Sequence, residues 1–265
     1  MYPKKRIFLI IILILLLASG LFSGALANEI AEEMDISADA HSSASYSNYI
    51  DIERDQILFD IKEEYTGEYA ENLRRSIDLN GDGYINETEI DTFKDNYLEI
   101  RTDEFREYII INDGNTDLRL VSVTMELDGA EGNISDSSNV SVMTTINYEL
   151  TSPLSAGEHR IWILGHPLIE EKEITFPENT EIINYQGLDE SQVITDGERD
   201  VLKGKSGISS FSINDQPSFE YATRITIHKK AFYEHSYFLP LLGLIQLMLI
   251  ILAAYSIRKE KKKDN

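Results

Sequence analysis

The chain contains no cysteine, which excludes disulfides, thiolate metal sites and cysteine redox chemistry. Positive charge is scarce as well: 24 Lys and Arg stand against 46 Asp and Glu, a formal net charge of −22 over 265 residues. The deficit is larger away from the ends. Lys4, Lys5, Arg6 and the closing RKEKKKDN hold many of the basic residues, so the part between carries about −28. A surface that negative repels nucleic acid and anionic lipid headgroups, and neither is an expected partner. Catalytic signatures are missing too. There is no G-x-S-x-G, H-E-x-x-H, P-loop or dinucleotide fingerprint, and His41, His159, His166, His228 and His235 are scattered. The chain therefore reads as a non-enzyme. Its single tryptophan, Trp162, lies in a strand-like segment and reads as core.

Long apolar runs are confined to the two ends. Lys4, Lys5 and Arg6 precede an apolar run from Ile7 to Leu17, and Ala25-Leu26-Ala27 stands before Asn28, the pattern of a signal peptide over 1–27. An uncleaved anchor is the alternative, since the apolar stretch reaches Leu26. The second run, 237–257, has no charge and is followed by the basic tail 258–265. It predicts one transmembrane helix, with Tyr233 and Tyr237 at the outer interface, Gln246 near the middle and the C-terminus in the cytoplasm. A single-pass cell-membrane protein with an external domain is the expected placement. Secreted sequons stand at Asn86, Asn133 and Asn139.

Between the runs, 28–47 is small, polar and acidic and reads as a flexible lead-in. Tyr49 to Ile61 alternates apolar and charged residues in the manner of a half-buried strand. From about Glu107 period-two alternation takes over, in REYIIIN, LRLVSVTMEL, NVSVMTTINYEL, HRIWILG, KEITF, EIINY, ISSFSI and FEYATRITIHK, separated by turns such as NDGNTD and NISDSSN. The expected fold is mainly β: an antiparallel β-sandwich over 107–232, preceded over 48–106 by the first strand and a helix–loop–helix insertion.

The insertion centres on DLNGDGYINETE, residues 78–89. Asp78, Asn80 and Asp82 place side-chain oxygens at loop positions 1, 3 and 5. Gly83 at position 6 permits a sharp turn, the Tyr84 carbonyl and Asn86 follow at positions 7 and 9, and Glu89 closes position 12. Tyr69, Leu73 and Ile77 before the loop, and Ile90, Phe93, Tyr97 and Leu98 after it, repeat at helical spacing. RTDEF contains no breaker, so the second helix extends toward Phe105.

This segment resembles an EF-hand calcium loop, and also one half of a dockerin repeat, although a dockerin carries two halves and commonly ends its loop in Asp rather than Glu. The resemblance covers about 35 residues and implies one bound Ca2+ on Asp78, Asn80, Asp82, Tyr84 (main chain), Asn86 and Glu89. No second loop exists to pair with it: NDGNTD and TDGERD lack the ligand spacing. A looser resemblance, to the extracytoplasmic region of nickel-transporter-like membrane proteins, rests on Pro153, Leu154, Gly157 and His159 in TSPLSAGEHRIWI and on the order of elements. The expected function is calcium binding in a surface protein with a structural or protein-binding external domain. The alternative is an accessory subunit of a membrane transporter or export complex.

Overall fold

A computed structural model describes residues 43–136, 138–213 and 216–261. The signal-peptide reading over 1–27 and most of the lead-in lie outside these residues. In chain order the elements begin with β1 (Ala44–Ile52), β2 (Gln56–Tyr65), α1 (Gly67–Ile77), β3 (Tyr84–Ile85) and α2 (Glu87–Phe105). There follow β4 (Ile109–Ile111), β5 (Leu118–Asp128), β6 (Gly132–Asn133), β7 (Val140–Leu150), β8 (Gly157–Leu164) and β9 (Ile169–Thr175). The series ends with β10 (Thr180–Gln186), β11 (Leu188–Asp196), β12 (Arg199–Ser206), β13 (Ile208–Ile213), β14 (Gln216–Lys229) and α3 (Phe238–Lys261).

The protein is mainly β. One sheet has seven strands in the order β11-β12-β9-β1-β2-β7-β5, and a second sheet has the order β10-β14-β8-β4 with β13 paired to β14. Neighbours are antiparallel except β1 and β9, which run parallel. Period-two sequence explains the layering. In β7 burial alternates from Val140 to Leu150, which turns Ile146, Tyr148 and Leu150 toward the second sheet. There they meet Ile161 and Ile163 of β8 and Ile225 and Ile227 of β14 in one core, joined by Phe105 from the end of α2. Alternating apolar side chains on two facing sheets make a sandwich core of this kind.

One segment differs from the sequence expectation. The single strand expected over Tyr49–Ile61 is a hairpin, because Glu53-Arg54-Asp55 forms the turn between β1 and β2, and both strands sit in the middle of the larger sheet. TDGERD does form a turn, the tip of the β11–β12 hairpin, with Asp196 paired to Arg199. Gly197 supplies the positive φ of 64° that a two-residue turn requires.

The expectation of a transmembrane helix is corrected. Among the described residues no helix is long and apolar enough to cross a membrane. Helix α3 carries exposed apolar side chains, Leu239, Leu247 and Leu252 among them. The helix then continues through the charged residues Arg258 to Lys261 instead of ending at 257. The membrane as a partner of such a span, and single-pass placement with a cytoplasmic C-terminus, fall with it.

Candidate metal centre

The loop between α1 and α2 is shaped by its own side chains. Asp78 accepts the Gly81 N–H through Oδ1 at 2.8 Å and the Gly83 N–H through Oδ2 at 3.0 Å. Asn80 Oδ1 accepts the Asp82 N–H, and Asp82 Oδ1 accepts the Tyr84 N–H, each at 2.8 Å. The last two are successive Asx turns, in which a short polar side chain bonds main chain two residues on, while Asp78 reaches three and five residues on. Gly83 has φ of 81°, and no atom crowds the place a Cβ would take. Backbone conformation, not space, is what demands glycine there.

Glu89 closes the loop from the other side. Asn86 is the N-cap of α2: its Oδ1 accepts the Glu89 N–H at 3.2 Å, while the Asn86 N–H donates to Glu89 Oε2 at 3.1 Å, a capping box that starts the helix. The same carboxylate accepts the Asn86 amide at 2.8 Å and, through Oε1, the N–H groups of Leu79 and Asn80 at 3.1 and 3.3 Å. Glu89 is only 6% exposed, and four N–H hydrogens from three residues offset the cost of burying its charge. Position 12 is thereby folded back over positions 2 and 3.

The expectation of a ready-made metal cluster is corrected in this respect: among the described residues no group of three or more His, Cys, Asp or Glu could hold a metal ion. Only Asp78, Asp82 and Glu89 of the six predicted residues carry carboxylates, and their oxygens are engaged with N–H donors. Asn80, Asn86 and the Tyr84 main chain complete the predicted set, all on the same loop.

The loop has a pairing partner that the sequence did not suggest. β3 forms a two-residue ladder with β6, Tyr84 opposite Asn133 and Ile85 opposite Gly132. The Ile134 N–H donates to the Gly83 carbonyl at 3.1 Å, which makes Tyr84 and Asn133 a non-hydrogen-bonded pair and turns the Tyr84 carbonyl away from β6. Beneath the ladder Ile77, Ile85, Met125, Ala130, Ile134 and Val142 form a second core, flanked by Leu73, Ile90 and Phe93. The connection between β5 and β7 thus stands where a second loop would otherwise pair. Arg74 fastens it. Its guanidinium donates to the main-chain oxygens of Gly129, Asp136 and Ser138 at 2.6–2.9 Å and to Ser138 Oγ at 2.6 Å. The segment that carries these contacts includes two sequons, and in the sequence it reads only as a Ser- and Asn-rich turn.

The far end of α2 is tied to the sandwich. Arg101 donates to Tyr97 Oη at 2.6 Å, Tyr108 Oη at 3.1 Å and Glu104 Oε2 at 3.0 Å, and Tyr148 Oη donates to the Phe105 carbonyl at 2.6 Å. Glu63 on β2, which accepts from Tyr65, faces this group, and burial pushes its carboxyl above the usual range. A carboxyl raised in the folded state costs stability once pH rises past its unfolded value. Glu63→Gln is therefore expected to remove a loss of stability that sets in as pH rises above about 4, read as the difference in urea midpoint between the two proteins at about pH 4 and about pH 7. Equal midpoints at both ends of that interval would refute the linkage.

No protein-family model matches the chain, and no characterised protein matches it in sequence. Among solved structures, AChBP from Bulinus truncatus is similar over 78% of this chain and 98% of that one, at 10% identity and a TM-score of 0.20. A likeness that loose carries no argument about fold or ligand.

Proposed function

We propose that the protein is a β-sandwich with a structural or protein-binding role, whose helix–loop–helix takes one calcium ion on Asp78, Asn80, Asp82, the Tyr84 carbonyl, Asn86 and Glu89. One observation carries the reading: Glu89 is folded back over the start of a loop whose Asp78, Asn80 and Asp82 side chains are each held by main-chain N–H groups of the same loop. Calcium accepts amide and main-chain carbonyl oxygens alongside carboxylates, and six to eight oxygen ligands at 2.3–2.6 Å are usual. A dense carboxylate cluster is not needed. The remaining lone pairs of these oxygens and the Tyr84 carbonyl, turned away from β6, would supply the shell.

Because α1 and α2 are already held by Arg74 and by the β3–β6 ladder, binding would brace an existing arrangement more than open a new surface. The affinity expected is that of extracellular modules, about 10⁻⁴–10⁻³ M. Calorimetric titration of the full-length chain with calcium should give one site in this range. Glu89→Gln should abolish it, while magnesium, which favours a smaller octahedral shell, should bind at least tenfold more weakly. Absence of heat with the wild type, or unchanged binding in Glu89→Gln, would refute the proposal.

A further inference from the structure

The outer face of the second sheet holds a cavity of about 240 Å3, below the ~300–1,000 Å3 of pockets for drug-sized molecules and suited to a single small ring. Four neighbouring strands contribute to it: Ile110 from β4, Trp162 from β8, Arg224 from β14 and Asn184 from β10. Strand alternation puts Trp162 and Arg224 on the side opposite to the buried Ile161, Ile163 and Ile225.

The charges of this cavity are matched in place. Arg224 Nη2 lies 2.7 Å from Glu220 Oε1, which also accepts the Trp162 indole N–H at 2.7 Å. The Arg224 guanidinium sits 4.8 Å from the centre of the Phe211 ring, a cation–π contact. Arg160 Nη1 is 3.2 Å from Asp113 Oδ2 at the edge. An anion would have to displace a carboxylate already bonded to arginine. What the cavity presents instead is an indole fixed in plane by its N–H bond, flat guanidinium edges, and the exposed amides of Asn184 and Gln186, which offer donor and acceptor side by side.

We propose that this cavity binds one neutral sugar ring of a glycan. The C–H face of a pyranose would lie on the electron-rich face of Trp162, and adjacent hydroxyls would exchange hydrogen bonds with Asn184, Gln186 and the outward N–H groups of Arg160 and Arg224. The site is separate from the calcium loop, so the two readings stand or fall independently.

Trp162 is the sole tryptophan, and its fluorescence reports on this cavity alone. Glucose, galactose, mannose and N-acetylglucosamine, each titrated into the full-length chain, should include at least one that changes the emission saturably, with half-saturation at about 1–10 mM. The double variant Asn184→Ala, Gln186→Ala alters only exposed rim side chains and should weaken that response about tenfold. Titrations with acetate and phosphate should give no saturable change. The proposal is overturned by a flat response to all four sugars, by saturation with the anions alone, or by unchanged affinity in the double variant.

Discussion

Replacing Lys172 with methionine is expected to stabilise the fold at neutral and acidic pH by about 2–4 kcal/mol. Lys172 lies on β9 with no exposed surface. Its Nζ donates to the Leu164 carbonyl and to Thr223 Oγ1, both at 3.1 Å, and the Thr223 hydroxyl donates onward to the Gly187 carbonyl. Burial alone pushes the amine down from 10.5 to about 7. Below that value the folded and unfolded chains both carry the proton, and the cost of burying an ammonium stands in full, about 5 kcal/mol for a displacement of that size. Between about pH 7 and 10.5 the unfolded chain holds a proton that the folded chain has released, so stability rises with pH.

Methionine fills a similar volume without the charge. The loss of the two hydrogen bonds returns about 1–3 kcal/mol of the gain. Urea unfolding at about pH 6 and about pH 9 should show wild type gaining on the variant as pH rises. A variant less stable than wild type at the lower pH, or a difference between the two that does not change with pH, would contradict this account.

Arg74→Ala is expected to cost about 3–5 kcal/mol, a fall in Tm of about 6–20 °C for a domain of this size. The guanidinium is wholly buried and makes four hydrogen bonds to the connection between β5 and β7. Truncation removes all four hydrogen bonds and leaves empty the space of a fully buried side chain. It also cuts the tie between α1 and the segment that pairs with β3. Arg74→Lys should recover only part of the loss, because one ammonium cannot reproduce the planar fork that reaches several carbonyls together. Thermal melts of the three proteins decide the matter: a change below about 1 kcal/mol in Arg74→Ala would show that the connection holds its shape without the arginine.

Local regularities carried much of this structure into the sequence. Alternation in NVSVMTTINYEL marks β7 because successive side chains of a strand face opposite sides, and burial follows that alternation. The absence of a breaker in RTDEF foretells that α2 reaches Phe105. The spacing of DLNGDGYINETE foretells the turn at Gly83 and the return of Glu89, since both depend on residues fewer than twelve apart. Long-range partners leave no such periodic trace. Trp162, expected in the core, is half-buried on the outer face because its position in β8 alternates with the buried Ile161 and Ile163. Nothing along the chain sets Lys172 and Arg74 apart from its other charged residues, and their burial follows only from what the fold brings around them.

By itself the sequence determined the strand-rich class, the acidic surface, the absence of disulfides and the six oxygen-bearing positions of the loop. These depend on composition or on neighbours along the chain. Only the tertiary structure decided that β1 and β2 occupy the middle of the larger sheet, that the lone loop pairs with Gly132 and Asn133, and that Arg74 secures that pairing. A buried polar group or an unpaired strand edge must find its partner somewhere, but the need does not say where. In this chain the partner of Ile85 lies at Gly132, in a connection whose own sequence reads as an ordinary turn, and folding alone brings the two together.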